Sequence, residues 1–167
     1  DFRPACEDCD VRFNRFGLSF QYPDNWSVDV SDAAGRHAAV SVHSPGGGFW
    51  SVSGHAAGGP PDELARAVVA QMQAEYRDLD AERATDEVRG HELAGYDLNF
   101  YCLDLTNTAQ IRTVKAGDAV YLLLCQAEDR EWDIIAPVFA AMTASFVSGL
   151  AGAERPGDAD DSPPSLA

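Results

Sequence analysis

Two cysteines spaced as a Cys-x-x-Cys pair, Cys6 and Cys9, carry the most recognisable metal chemistry in the chain. Such a pair is half of a structural zinc site, which needs two further Cys or His ligands. Zinc is therefore expected there only if other residues complete the tetrahedron; otherwise the thiols are merely reactive. A thioredoxin-type role is disfavoured, because that motif opens a helix after a strand, and here the pair precedes the first strand. His37 and His55 form a second candidate. If the loop containing Gly46, Gly47 and Gly48 closes a regular hairpin, the two imidazoles lie opposite one another on its outer face. Cross-strand neighbours sit about 5 Å apart, close enough to share a metal, although a third ligand would still be required. The three glycines also suit a phosphate cradle, yet such loops lead directly into a helix and usually carry a lysine. Here a strand follows, so a hairpin loop is expected. Ser51, Ser53 and His55 place hydroxyls near an imidazole, but no Gly-x-Ser-x-Gly elbow is present to expose a nucleophile.

A third constellation is purely polar. Asp97, Asn99 and Tyr101 alternate on the less apolar side of one strand, and Asp104, Thr106, Asn107 and Thr108 follow directly. Asx and Thr side chains bond their own backbone in turns, so a self-stabilised hairpin turn accounts for this stretch. The functional alternative is a recognition site built from Asp97, Asn99, Tyr101, Asp104, Thr106 and Asn107, with Trp50 lining the same surface or lying in the core. Loops on a rigid scaffold are where such contacts concentrate.

These residues need a sheet to hold them. From Gly95 to Gln126 the pattern predicts three strands. Tyr96, Leu98, Phe100 and Cys102 alternate in the first, Ala109, Ile111 and Thr113 in the second, and Val120 to Gln126 is apolar at nearly every position, as in a strand covered on both faces. Turns centred near Asn107 and Gly117 would set Cys102 and Cys125 beside Ala109 on opposite sides. Two strand spacings, about 10 Å, exceed the roughly 7 Å that a disulfide spans, so both are expected as buried free thiols. Upstream, alternation predicts strands over Arg15–Tyr22 (with Phe16, Leu18, Phe20 and Tyr22 on one face), Trp26–Val30, His37–His43 and Phe49–His55. Pro61, Asp62 and Glu63 open a helix ending near Leu79, with Leu64, Val68, Met72, Tyr76 and Leu79 on its apolar stripe. Asp80–Arg89 reads as an edge strand. A final helix is expected from about Ala136, after a loop through Asp129–Asp133 imposed by Pro137, and ending at Gly149.

The domain plan is an arm over 1–10, one α+β domain over 11–149 and a disordered acidic tail over 150–167. The sheet is mostly antiparallel and covered by two amphipathic helices. Gly17, Leu18, Ser19, Phe20, Gln21, Tyr22, Pro23 and Trp26 make an aromatic strand, a Tyr-Pro turn and a Trp leading into the next strand. This opening resembles the PsbP-like and DcrB-like families, as does the Ser145-Phe146 ending of the last helix. The resemblance implies an α/β/α sandwich, shared with a Ran-binding nuclear-import factor, and non-catalytic accessory, assembly or protein-binding roles. It carries no enzymatic signature across, and the Phe100–Asn107 stretch has no counterpart in it.

Twelve basic against 27 acidic residues give a net charge of −15, which disfavours nucleic acid and anionic membrane and favours a basic protein patch or a cation. No run is expected to reach the ~20 apolar residues of a membrane span. The sequence opens at Asp1 with no visible signal peptide, so cytoplasm is the default expectation and a trimmed leader stays open. Function is expected to be protein binding without catalysis; the alternative is a metal or small ligand held by the histidines or by the Asp97–Asn107 polar set.

Overall fold

A computed structural model describes residues 11–31, 39–56 and 59–154. Nine strands and two helices occur among them: β1 (Val11–Arg15), β2 (Leu18–Tyr22), β3 (Ser27–Ser31), β4 (Ala39–His43), β5 (Phe49–Ala56), α1 (Pro61–Glu75), β6 (Asp80–Val88), β7 (His91–Cys102), β8 (Leu105–Ala116), β9 (Ala119–Glu128) and α2 (Asp129–Glu154). Seven strands form one antiparallel sheet in the order β3-β4-β5-β9-β8-β7-β6, and β1 and β2 form a separate hairpin. The architecture is the expected α+β one, with a helix on each face.

Alternation decides which residue meets which helix. Trp50 lies opposite Cys125 on β9 and Val42 on β4, so these share a face, and α2 covers it with Ile135, Phe139, Met142, Phe146, Val147 and Leu150. The β1–β2 hairpin lies on the same side. Phe20 contacts the Trp50 ring at 4.8 Å, Phe13 stacks on Phe20 at 5.0 Å, and the Gln21 amide donates to Ser145 Oγ at 2.9 Å. On the opposite face α1 presents Ala65 and Val69 to Leu98, Phe100, Ala109 and Ile111, with Leu122 and Leu124 beside them. The apolar run in β9 therefore does feed two cores: Leu122 and Leu124 face α1, while Leu123 and Cys125 face α2.

Four expectations change. The Arg15–Tyr22 strand is a hairpin whose turn is Phe16-Gly17, both at positive φ (57° and 76°), so Phe16 sits at the apex and is exposed. Helix α1 ends at Glu75, where the Tyr76 amide still donates to Met72 O, and its stripe is centred on Ala65 and Val69, small enough to bring the helix axis close to the sheet. Helix α2 starts at Asp129 and passes through Pro137. A proline removes one helical hydrogen bond; packing on both sides of it, with Trp132 5.6 Å from Phe139 and Phe139 5.8 Å from Trp26, holds the helix continuous. It also passes Gly149, and Leu150 is buried, so the packed domain extends beyond the expected boundary. By length and composition alone Asp129–Leu150 could cross a membrane, contrary to expectation; in this structure it is the core helix of the larger cluster. The edge position of β6, the free thiols of Cys102 and Cys125 and the hairpin through Ser44–Gly48 are as read, although Cys102 is only half-buried.

Phe146 is 1% exposed in the larger core and Ile134, on the same helix, is 73% exposed. In urea unfolding, Phe146→Ala should cost about 3–5 kcal/mol, and Ile134→Ala less than about 0.5 kcal/mol. Comparable losses at both positions would mean that α2 packs differently.

Candidate functional site

On the face that α2 covers, one corner stays exposed. In that corner Asp97, Asn99 and Tyr101 of β7 share a face, as alternation requires, with Asp80 and Glu82 of β6 and Thr106, Thr108 and Gln110 of β8. Asn99 Nδ2 donates to Thr108 Oγ1 at 3.0 Å, and that hydroxyl donates to Asp129 Oδ1 at 2.6 Å, tying β7 and β8 to the start of α2.

The floor of the corner is Arg112. Its Nε donates to Asp86 Oδ2 and its Nη2 to Asp97 Oδ1, both at 2.8 Å, while Nη1 serves the carbonyls of Tyr96 and Ile111. The guanidinium is buried and the two carboxylates are half exposed. Burial pulls the Arg112 pKa down, but hydrogen bonds and attraction from Asp86 and Asp97 more than offset it, and the net direction is upward. Gly95 pairs with Arg112, and there a Cβ would fall on the Ile111 carbonyl oxygen and 3.1 Å from the Arg112 Cα. Only glycine permits that approach. This arrangement positions charge at the corner of the sheet.

At the open end the β7–β8 turn is Leu103-Asp104, with Cys102 paired to Leu105. The expected turn near Asn107 is thus displaced, and Asp104 alone of the polar set occupies the turn itself. Both turn residues have positive φ (55° and 67°), the geometry of a type I′ hairpin. The turns at Phe16-Gly17 and Arg89-Gly90 share that geometry and supply glycine at the second position; this one does not. Leu103 is 89% exposed, Tyr101 59% and Leu105 39%. Beside them Leu105, Thr106, Glu128, Asp129 and Arg130 line an open hollow of about 400 Å³.

The structure divides the expected site residues. Asp97, Asn99, Tyr101 and Thr106 lie together. Asn107 pairs with Phe100 and Glu128, hence faces the α1 side; it is buried, and its amide donates to Leu105 O at 3.1 Å. Trp50 is wholly buried and donates from Nε1 to Thr143 Oγ1 at 2.9 Å, so it is core and lines no surface. Cys6, Cys9 and His37 lie outside the described residues. His55 Nε2 is 2.9 Å from Ser53 Oγ, on extended strand backbone without an elbow. Among the described residues no three His, Cys, Asp or Glu side chains converge as metal ligands.

No protein-family model and no curated protein matches this chain. Solved structures do. Cyanobacterial PsbP from Synechocystis sp. PCC 6803 superposes with a TM-score of 0.55 at 14% identity, over 83% of this chain and 91% of that protein. The chain has a PsbP-like fold. A Bacteroides thetaiotaomicron protein superposes at 0.54 and 12% identity over 80% of this chain, which spans about half of that protein's length (46%). At such identities the likeness concerns the fold alone.

Within this PsbP-like sheet, sequence reasoning missed Arg112 and the Leu103 apex. An arginine set among apolar Ile111 and Val114 in a strand pattern was the available signal for the first. Strand parity was the signal for the second, because only a turn at 103–104 keeps Leu98 opposite Ala109.

Two measurements follow from this geometry. Replacing Leu103 by Asn and Asp104 by Gly relieves the left-handed backbone and should raise stability by about 1 kcal/mol; a loss would mean that the turn is not of this type. Burial in the floor region pushes the Cys125 thiol up to about 12. A thiol ionising at about 9 unfolded and about 12 folded leaves stability unchanged below pH 9 and erodes it as pH climbs through that interval. Alkylation at pH 8, resolved by mass spectrometry, should spare Cys125 in the folded chain and modify it in urea.

Proposed function

We propose that this chain is a non-catalytic accessory domain that binds another protein through the β7–β8 end of its sheet. The observation that carries this reading is the Leu103 apex. Of the five most exposed large apolar side chains among the described residues, three stand at this one end of the sheet: Leu103 at the apex, Tyr101 beside it on the α2 face and Leu105 on the α1 face. Single exposed apolar residues are ordinary, whereas a clustered group points to an interaction site. The group stands on two twelve-residue strands, so its geometry is fixed before contact and little ordering entropy is lost on binding. A backbone that accepts left-handed strain to display leucine, where asparagine-glycine would relax it, has given up stability at the tip. The PsbP-like fold is compatible with this role. Among the described residues the metal or small-ligand reading has no comparable convergence of side chains behind it.

A photoreactive amino acid at position 103, introduced in the native host, should give a discrete protein adduct. The same group at Asp118, in the β8–β9 turn, should not, and Leu105→Asp should abolish the first adduct while leaving the fold intact by circular dichroism. No adduct at 103, or identical adducts at 103 and 118, would overturn the proposal.

A further inference from the structure

Resting on that reading, we infer that the partner presents an apolar hollow with a basic rim, taking Leu103 into the hollow and laying its cationic side over the bare corner of the sheet. Two independent features of the surface combine. One is the apolar apex. The other is the charge that surrounds it: Asp104 is in the turn itself, Asp129 is tied to β7 and β8 through Thr108 and Asn99, and Asp80, Glu82, Asp86 and Asp97 share the bare face. The cations nearby are already committed. Arg112 is buried and its donors go to Asp86, Asp97 and two carbonyls, and Arg130 is paired with Glu128 at 3.1 Å. Arg83 of β6 bonds Asp62 of α1, on the other side of the sheet.

Glu82 stands directly opposite Asp97 on the same face of the β6–β7 ladder. Like charges facing one another across a ladder oppose pairing, and of this pair Arg112 bonds Asp97. The local excess of negative charge is thus left to whatever covers this corner. A cationic surface satisfies it; an acidic or apolar one would desolvate the carboxylates without return. The arrangement also predicts how the partner arrives. Acidic steering speeds encounter at low salt, and contact at the apolar apex sets the lifetime of the complex.

The probe is a library of random twelve-residue peptides displayed on phage, selected against the full chain at low salt. Peptides enriched in Lys or Arg around a Leu or aromatic residue are expected. Their binding should fall at least tenfold in Leu103→Asp, and at least tenfold in Asp80→Lys with Glu82→Lys, and it should weaken steeply with added salt. Leu103 is exposed and Asp tolerates positive φ, and Asp80 and Glu82 lie outside the Arg112 network, so these variants should fold; unfolding curves verify it. Acidic or neutral selected peptides, basic peptides indifferent to these substitutions, or no Leu103-dependent binder would overturn the inference. So would calcium alone binding stoichiometrically at the corner, by calorimetry, with loss in Glu82→Lys. If position 103 still crosslinks a protein while these outcomes hold, protein binding stands and only the partner's chemistry is wrong. If crosslinking fails as well, both fall.

Discussion

Two helices and a hairpin cannot cover both faces of a seven-stranded sheet. Six strand spacings make it about 29 Å wide, and one helix shields roughly 10 Å of that. The chain resolves the deficit by staggering. Helix α2 and the β1–β2 hairpin close one face around Trp50, and α1 closes the other over β7 and β8. Only the middle strands are sandwiched, and those are the ones that carry apolar side chains on both faces. Toward the rims the cover thins, and the edge strands β3 and β6 contain no buried residue; the bare corner beside β6 follows from this division of cover.

Legibility in the sequence tracked the same division. Where burial on both faces imposes an apolar run, as in Val120–Gln126, the pattern alone identified the strand and its double cover. Where one face is wet, alternation found the strand but misjudged its ends. The β7–β8 turn shows why. Asp104, Thr106, Asn107 and Thr108 are composed like a turn, but tertiary pairing of Leu98 with Ala109 places the reversal at Leu103, a residue that local turn chemistry would never nominate. Pro137 misled in the opposite sense, since a strong local breaker was overruled by aromatic packing around Phe139. Trp50 was open between surface and core, and Phe20 together with Thr143 decides for the core. The polar face of β7 was correctly grouped; Asn107 was not, because one extra residue in a strand reverses the side it faces.

Arg112 explains how a wet corner keeps a fixed shape. Desolvating a guanidinium costs several kcal/mol, which good geometry must offset. Here the acceptors come from β6, from β7 and from its own strand. A one-residue slip of β7 would carry Asp97 to the α1 side and strand the buried cation. The ionic cluster therefore penalises misregister in the part of the sheet that has the least apolar packing to prevent it.

The ladder between β5 and β9 has a different consequence. It joins Ala56 to Ala119 and Phe49 to Gln126, with α1 and the whole β6–β8 meander intervening in the chain. Every other ladder links neighbours in sequence. Chain closure across so long a loop carries an entropic cost that the local hairpins avoid. The meander and the β3–β5 trio are thus each able to form from nearby contacts, and the single β5–β9 seam is the step that turns two half-sheets into one. Mutations along that seam will register in the folding rate, and a nick in the connection before α1 leaves two pieces whose reassembly measures the strength of the seam alone.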